Sequence, residues 1–405
     1  MKKKIILSDK FLMFILILSG CFQNIEIISV ADGFGLKLYH VVSIILGIRL
    51  LIKIKENEKI KIPPLKINLF FIFILGLSIF MYGIYGFNSL CVNYIFAYYL
   101  IILIINIGYK LKYDDWIEII KKVATIMMIC IFTNMIIKFS QIKFFLSGNT
   151  ERIVLNTFFG GGINLEATWL ALLGVFFLKD EKAYIYLFLS MIVSMLYSSR
   201  SGMIVDALFF LIILFQENNR KNEKFKKTLL LLLLCVVLFV INIKTGMFSY
   251  ILNRFTNLGN ENGSLGRLNM WKYVLPSFEY NPVGYGLGNA VKSIISVSGI
   301  QFRESNVHNM FFQMALDTGV LGFLIYLWIN LKFIFDERKN IIKNSVVSFI
   351  TIYIALSFIE FRGADFLLYV MISIYILIKK ERKEKSENSG KNGIKQKNKN
   401  GYGSV

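Results

Sequence analysis

Two stretches separated by only two residues, KINLFFIFILGLSIFMYGIYG at 66–86 and SLCVNYIFAYYLIILIINIGY at 89–109, decide the fold class of this 405-residue chain. A helix needs roughly 17 to 25 mostly apolar residues to cross about 30 Å of hydrocarbon, and each stretch supplies them in one run. Neither shows the period-two alternation over about ten residues that marks a membrane β-barrel strand. On either side, the same reading gives candidate spans at 9–29, 36–54, 116–138, 160–178, 182–198, 202–216, 228–245, 310–335, 345–360 and 364–379. The expected fold is an all-α polytopic membrane protein of about 12 transmembrane helices with one large extracytoplasmic loop.

Composition agrees, at 56% hydrophobic and 18% charged residues, and excludes a string of soluble domains. The 46 Lys and Arg against 26 Asp and Glu leave a net charge of +20, yet these charges flank apolar runs instead of forming one basic face. Nucleic acid is thereby excluded as a partner, and the lipid bilayer takes its place. Cys21, Cys91, Cys130 and Cys235 lie in or beside apolar segments without CxxC spacing, which argues against a disulfide framework or a metal site.

Orientation follows from where the basic residues fall. With the amino terminus inside, roughly three-quarters of the Lys and Arg lie on cytoplasmic pieces, as the positive-inside rule requires. Examples are Lys53, Lys55, Lys59 and Lys61 in one loop and Arg220, Lys221, Lys224, Lys226 and Lys227 in another. The expected localisation is the bacterial inner or plasma membrane, multi-pass, with both termini cytoplasmic. The first apolar run follows Lys2–Lys4 like a signal peptide but shows no small-residue cleavage site, so it reads as a retained anchor. The expected organisation is a bundle at 1–245, an extracytoplasmic cap at 246–309, a second bundle portion at 310–379 and a disordered basic tail at 380–405. That tail is either solubilising and topogenic or attracted to anionic lipid.

The cap holds the chemistry-bearing residues. A helix is expected from Gly266 to Tyr280, stopped by Asn281-Pro282. The following GYGLG, at 284–288, lacks the strand–turn–helix setting of a dinucleotide fingerprint. Its glycines suit close backbone approach to a neighbouring helix, or to an anion. His308 stands where the cap re-enters the membrane. It is placed either to take a proton from a sugar hydroxyl near neutral pH or to bond backbone at a helix start. His40, early in the second span, has no comparable polar neighbours and reads as interfacial.

Arg152, Arg200, Arg254, Arg267, Arg303 and Arg362 fall on the outer side, while the inner side is dominated by lysine. Arginine's planar fork grips phosphate oxygens bidentately. Arg200, in the short YSSRSG turn, is a candidate phosphate ligand, with snorkelling to lipid phosphate the alternative. Asn164, Glu166, Asp206 and Asp317 reach comparable depth, as helix-to-helix bonds or as the lining of a polar cavity. No HExxH, calcium-type carboxylate spacing or Cys/His set is present, so no metal is expected.

In this order the features resemble the O-antigen ligase and polymerase family of bacterial envelope glycosyltransferases. The pieces that carry the resemblance are Asn164 after Gly160-Gly161-Gly162, Ser199-Arg200-Ser201-Gly202, Gly266-Arg267 with Trp271, Asn281-Pro282-Val283-Gly284-Tyr285-Gly286, and His308-Asn309 followed by Asp317-Thr318-Gly319-Val320-Leu321-Gly322. The resemblance implies glycan transfer from an undecaprenyl-pyrophosphate carrier to an acceptor sugar, inverting and without metal or other cofactor. It implies Arg200 and Arg267 on the pyrophosphate and His308 on the acceptor hydroxyl as the catalytic set. Arg254 and Arg303 assist, and Asn164, Asn309 and Asp317 join in substrate binding, although family members often carry glutamate where this chain has Asp317. A chain-length regulator is a plausible partner by the same resemblance.

The primary expectation is a polymerase of lipid-linked repeat units for a capsule or lipopolysaccharide, favoured on base rate. The first alternative is a ligase to lipid A-core. The second is a transporter or glycan flippase, against which the single large asymmetric cap argues.

Overall fold

The computed structural model describes residues 8–146, 159, 162–215 and 262–382 apart from positions 24, 32, 33, 57, 58, 303, 305, 361, 362 and 364, together with scattered residues between 225 and 240. Helix α1 (Asp9–Cys21) starts where the Ser8 hydroxyl accepts from the Phe11 N–H at 3.2 Å. It gives way to an antiparallel hairpin, β1 (Glu26–Ala31) and β2 (Phe34–Lys37). Helices α2 (Leu38–Lys55), α3 (Leu65–Tyr85), α4 (Leu90–Ile107, prolonged by a tight turn to Lys110), α5 (Tyr113–Ile137) and α6 (Phe139–Leu146) follow. After them come α7 (Ile163–Leu173), α8 (Ala183–Leu196) and α9 (Arg200–Phe215). The cap region contributes α10 (Asn262–Trp271), α11 (Val274–Tyr280) and α12 (Ala290–Ser298). The chain then re-enters the bundle through α13 (Met310–Glu337), α14 (Ser345–Leu356) and α15 at 366–382.

The described residues are all-α apart from that hairpin, but the expectation of about twelve spans is corrected. Among the described residues four helices are long and apolar enough to cross a membrane: α3, α4 with its turn to Lys110, α5 and α13. A run of apolar side chains measures hydrophobicity, not the length of hydrogen-bonded helix. The expected span 9–29 leaves the helix after Cys21 and ends in the hairpin, where Ile27 and Ile28 suit a strand. The run at 160–178 contains only the 11 residues of α7 before a tight turn at Gly174–Phe177. Helix α2 is long enough but carries Arg49, Lys53 and Lys55, while α8, α9 and α14 stop at 14, 16 and 12 residues. The protein is a multi-pass membrane protein; the outward face of α3, with Ile72, Ile79 and Phe80 exposed, is one that lipid accepts and water would not.

The main core runs through α1, α4, α5 and α7 and buries Trp116 and Trp169, the latter stacked on Tyr353 of α14. A second, smaller cluster joins Met270, Val274, Ala290, Ile294, Val307 and Leu316, and gives the cap an apolar centre of its own. The expected helix at 266–280 is two helices, divided at Lys272–Tyr273. Pro276 lies in the first turn of α11, where a missing N–H leaves no bond unmade.

Candidate functional site

The GYGLG turn is gripped on two sides. Helix α13 breaks at Gly319, whose φ of 66° and ψ of −167° lie outside the helical region. Residues 282–290 fill the gap. Val320 N–H donates to the Pro282 carbonyl at 2.9 Å, Tyr285 N–H to the Leu316 carbonyl at 2.9 Å, and Gly286 N–H to the Asp317 carbonyl at 2.8 Å. On the other side Leu287 N–H donates to Ser78 Oγ at 3.0 Å, Tyr82 Oη to the Leu287 carbonyl at 2.7 Å, and Asn88 Nδ2 to the Gly288 carbonyl at 2.7 Å. With Gly284 N–H on the Asn281 carbonyl and Gly288 N–H on Asp317 Oδ2, every N–H from 284 to 288 is engaged inside the protein. Of the two uses open to this turn, the structure displays close approach to neighbouring helices. The approach requires glycine: a Cβ on Gly319 would lie 2.3 Å from the Val283 carbonyl carbon, and one on Gly284 would lie 2.5 Å from Gly319 N.

Asp317 is fully buried within this junction. Its Oδ1 accepts from Ala290 N–H at 2.9 Å, and its Oδ2 accepts from Gly288 N–H at 2.9 Å and Gln313 Nε2 at 2.8 Å. Ala290 opens α12, so its N–H has no partner within the helix; a carboxylate from α13 serves as a remote cap. Tyr285 donates from Oη to the Ser277 carbonyl at 2.9 Å, and burial pushes its phenol up to about 12, which keeps it a donor.

Arg267 and Trp271 stand four residues apart on α10 and so share a face. Arg267 Nη1 donates to the Ile359 carbonyl at 2.9 Å and lies 3.5 Å from Glu360 Oε2. Trp271 Nε1 donates to the Val307 carbonyl at 2.8 Å, the residue before His308, and its ring meets Phe312 edge-on. His308 has a φ of 55°, a left-handed conformation that costs a non-glycine residue of order 1 kcal/mol. Its N–H is held by Asn306 Oδ1 at 3.0 Å. Asn309 caps α13 by accepting from Phe311 and Phe312 N–H, while Met310 N–H donates to the Ser357 carbonyl at 2.7 Å. The face of α10 thus touches both the His308 loop and the 357–360 turn, which are themselves tied together.

A second group forms where α7 and α9 begin. The Asn164 carbonyl accepts from Thr168 Oγ1 at 2.7 Å and from Ser199 Oγ at 3.0 Å, the residue before Arg200. Ser201 Oγ lies 2.7 Å from Thr168 Oγ1. Glu166 is buried and accepts from Phe159 N–H at 3.2 Å. Asp206 joins α9 to α8, with its carboxylate taking Ser190 Oγ at 2.7 Å and Ser194 Oγ at 2.6 Å. His40 accepts from Lys37 N–H at 3.1 Å and packs on Phe96.

Arg254 and Arg303, with Arg152 and Arg362, lie outside the described residues. Glu360, Gln313 and the break at Gly319 escaped sequence reading. A glycine after Asp-Thr in the middle of an apolar run was the one available signal.

Residues 185–327 match the family model of the O-antigen ligase. The matched segment, less than half of the chain, contains Arg200, Arg267, Trp271, the GYGLG turn, His308 and Asp317. No curated protein matches the chain.

Proposed function

We propose, from that family match, that this membrane protein transfers a glycan from a polyprenyl-pyrophosphate carrier to an acceptor hydroxyl in the manner of an O-antigen ligase. The cap and the starts of α7, α9 and α13 face the non-cytoplasmic side, and both termini are cytoplasmic. The observation that carries the reading is one helix face on which Trp271 is fastened to the loop that presents His308 and Arg267 to the adjoining 359–360 turn.

The chemistry asks little more of the protein than charge and alignment. The acceptor oxygen attacks the anomeric carbon as the bond from that carbon to the pyrophosphate oxygen breaks, inverting the centre. The leaving pyrophosphate keeps the electron pair, and the acceptor proton passes to the His308 imidazole. Arg267 and Arg200 neutralise the charge growing on the pyrophosphate, the kind of preorganised stabilisation that is commonly the largest catalytic contribution. Asn164 and Asn309 line the two approaches, and Arg254 and Arg303 extend the phosphate grip. Asp317 acts from behind, by holding the turn that supports the cap.

Ligase-type transfer is preferred to repeat-unit polymerisation because the matched family model bears the ligase description. The discriminating experiment offers reconstituted protein an undecaprenyl-pyrophosphate oligosaccharide with either lipid A-core or a second lipid-linked repeat as acceptor. Product on lipid A-core alone supports the ligase; product only on the second repeat makes it a polymerase. In the productive arm His308→Ala and Arg267→Ala are expected to fall by at least about a hundredfold. Glycan joining preserved in both variants overturns their assigned roles.

A further inference from the structure

A cavity of about 1180 Å³ opens between α3, α4, α13, α14 and α15, and neither Arg267 nor His308 lines it. Its α13 wall runs from Tyr326 to Asp336, beyond the break at Gly319. The walls are apolar and rich in rings, with Phe70 and Phe71 from α3, Tyr326 and Phe333 from α13, and Tyr369 and Tyr375 from α15. The mouth is cationic: Lys66, Lys110, Lys112, Lys332, Lys379 and Lys380 border it, against the carboxylates of Asp336 and Glu381.

Depth and charge together define the guest. From Leu368 to Glu381 the α15 wall rises about 20 Å, more than half of the roughly 30 Å hydrocarbon thickness, and Gly363 lies beyond its lower end. Two of the ammonium heads are held by aromatic side chains: Lys66 Nζ is 5.1 Å from the Trp328 ring centre and Lys379 Nζ is 3.1 Å from Tyr375 Oη. Asp336 is already engaged by Lys332 at 3.2 Å. Six lysines against two carboxylates leave the mouth net positive, which calls for an anion, and an apolar slot of this depth calls for acyl chains.

We propose that this cavity is a binding site for an anionic glycerophospholipid, with its acyl chains along the aromatic walls and its phosphate among the lysines. Lysine serves here as a point charge, which suits a phosphodiester that needs no bidentate fork. A polyprenyl-pyrophosphate held by Arg267 does not supply this head group, because Gly319 to Lys332 alone spans about 20 Å of helix. The basic segment after residue 382, with Lys391, Lys395, Lys397 and Lys399, has the wrong charge to close the mouth. The proposal does not rest on the glycan-transfer reading.

The test uses full-length, delipidated protein in mild detergent, titrated with phosphatidylglycerol or phosphatidylcholine of identical acyl chains and read by native mass spectrometry. The first phosphatidylglycerol is expected to bind at least about tenfold more tightly than phosphatidylcholine, roughly 1.4 kcal/mol. Combining Lys332→Gln, Lys379→Gln and Lys380→Gln should remove that preference, while the same three positions changed to Arg should keep it. Ile372→Trp, which fills the slot from α15, should weaken both lipids, and it decides the matter if the glutamine variant fails to fold. Equal binding of the two lipids, or unchanged phosphatidylglycerol binding in Ile372→Trp, overturns the proposal. So does displacement of bound phosphatidylglycerol by a lower concentration of undecaprenyl phosphate, which would make the occupant the carrier itself.

Discussion

Arg267 Nη1 lies 3.5 Å from Glu360 Oε2 and donates to the Ile359 carbonyl at 2.9 Å, so the guanidinium assigned to the pyrophosphate already has an anionic neighbour. A bound donor must draw that group away from a carboxylate. Glu360→Gln keeps the shape and removes the charge, and the KM for the lipid-linked donor should fall by about two- to tenfold with kcat within about twofold. Initial rates in proteoliposomes at varied donor concentration read this directly. An unchanged KM would mean that Glu360 does not compete for Arg267.

The fork matters as well as the charge. Arg267→Lys retains a cation but loses the paired N–H donors, and transfer should drop by about tenfold or more. Near-parent turnover would point to a diffuse phosphate site.

Trp271→Phe deletes the Nε1 donor to the Val307 carbonyl and keeps a ring against Phe312. Removing one such bond costs about 1 kcal/mol locally and loosens the loop ahead of His308. The expected signature is a kcat about threefold to tenfold lower with donor KM little changed. A change confined to KM would show that Trp271 serves binding and not the placement of His308.

Asp317→Asn exchanges an oxygen that accepts hydrogen bonds for an NH2 group facing N–H donors. Loss at this buried junction should destabilise the protein by about 2–4 kcal/mol. Thermal unfolding in detergent, monitored without substrate, is the measurement. Parent-like stability together with lost transfer would place Asp317 on the substrate instead.

Gly319→Ala should be more damaging still, because its Cβ would strike the Val283 carbonyl at a backbone angle alanine rarely adopts. Gly83→Ala is the matched control. Gly83 lies in α3, where an added methyl group would meet nothing within 4 Å beyond its chain neighbours and its own helix backbone, and the change should be neutral or gain up to about 1 kcal/mol. Comparable yields of folded protein from both variants would contradict the close crossing of 282–283 with 319.

Sequence reading located α3, α4, α5 and α13 well, because each holds a long, strongly apolar stretch with few charges inside one helix. It overcounted spans wherever an apolar run is shared between helix and something else, as at Cys21 and Gly174, or where Arg49 and its lysine neighbours enter the helix. The two motifs Asn281–Gly286 and Asp317–Gly322 were visible in order, but not that each completes the other's hydrogen bonds. That fact resides in pairing across the chain, which no local period encodes. Glu360 was invisible for a similar reason: its importance comes from Arg267, brought to it by α10 and the start of α13.

The gap in α13 has a practical meaning for anyone exchanging parts between related transferases. The Pro282 carbonyl and the Tyr285 N–H supply the backbone partners that Val320 and Leu316 would have found in each other within a continuous helix. A chimera cut at residue 309 would strand those partners on one side of the seam and their counterparts on the other. The smallest transplantable piece therefore extends past Val320, and a graft of acceptor preference should carry the first half of α13 along with the cap.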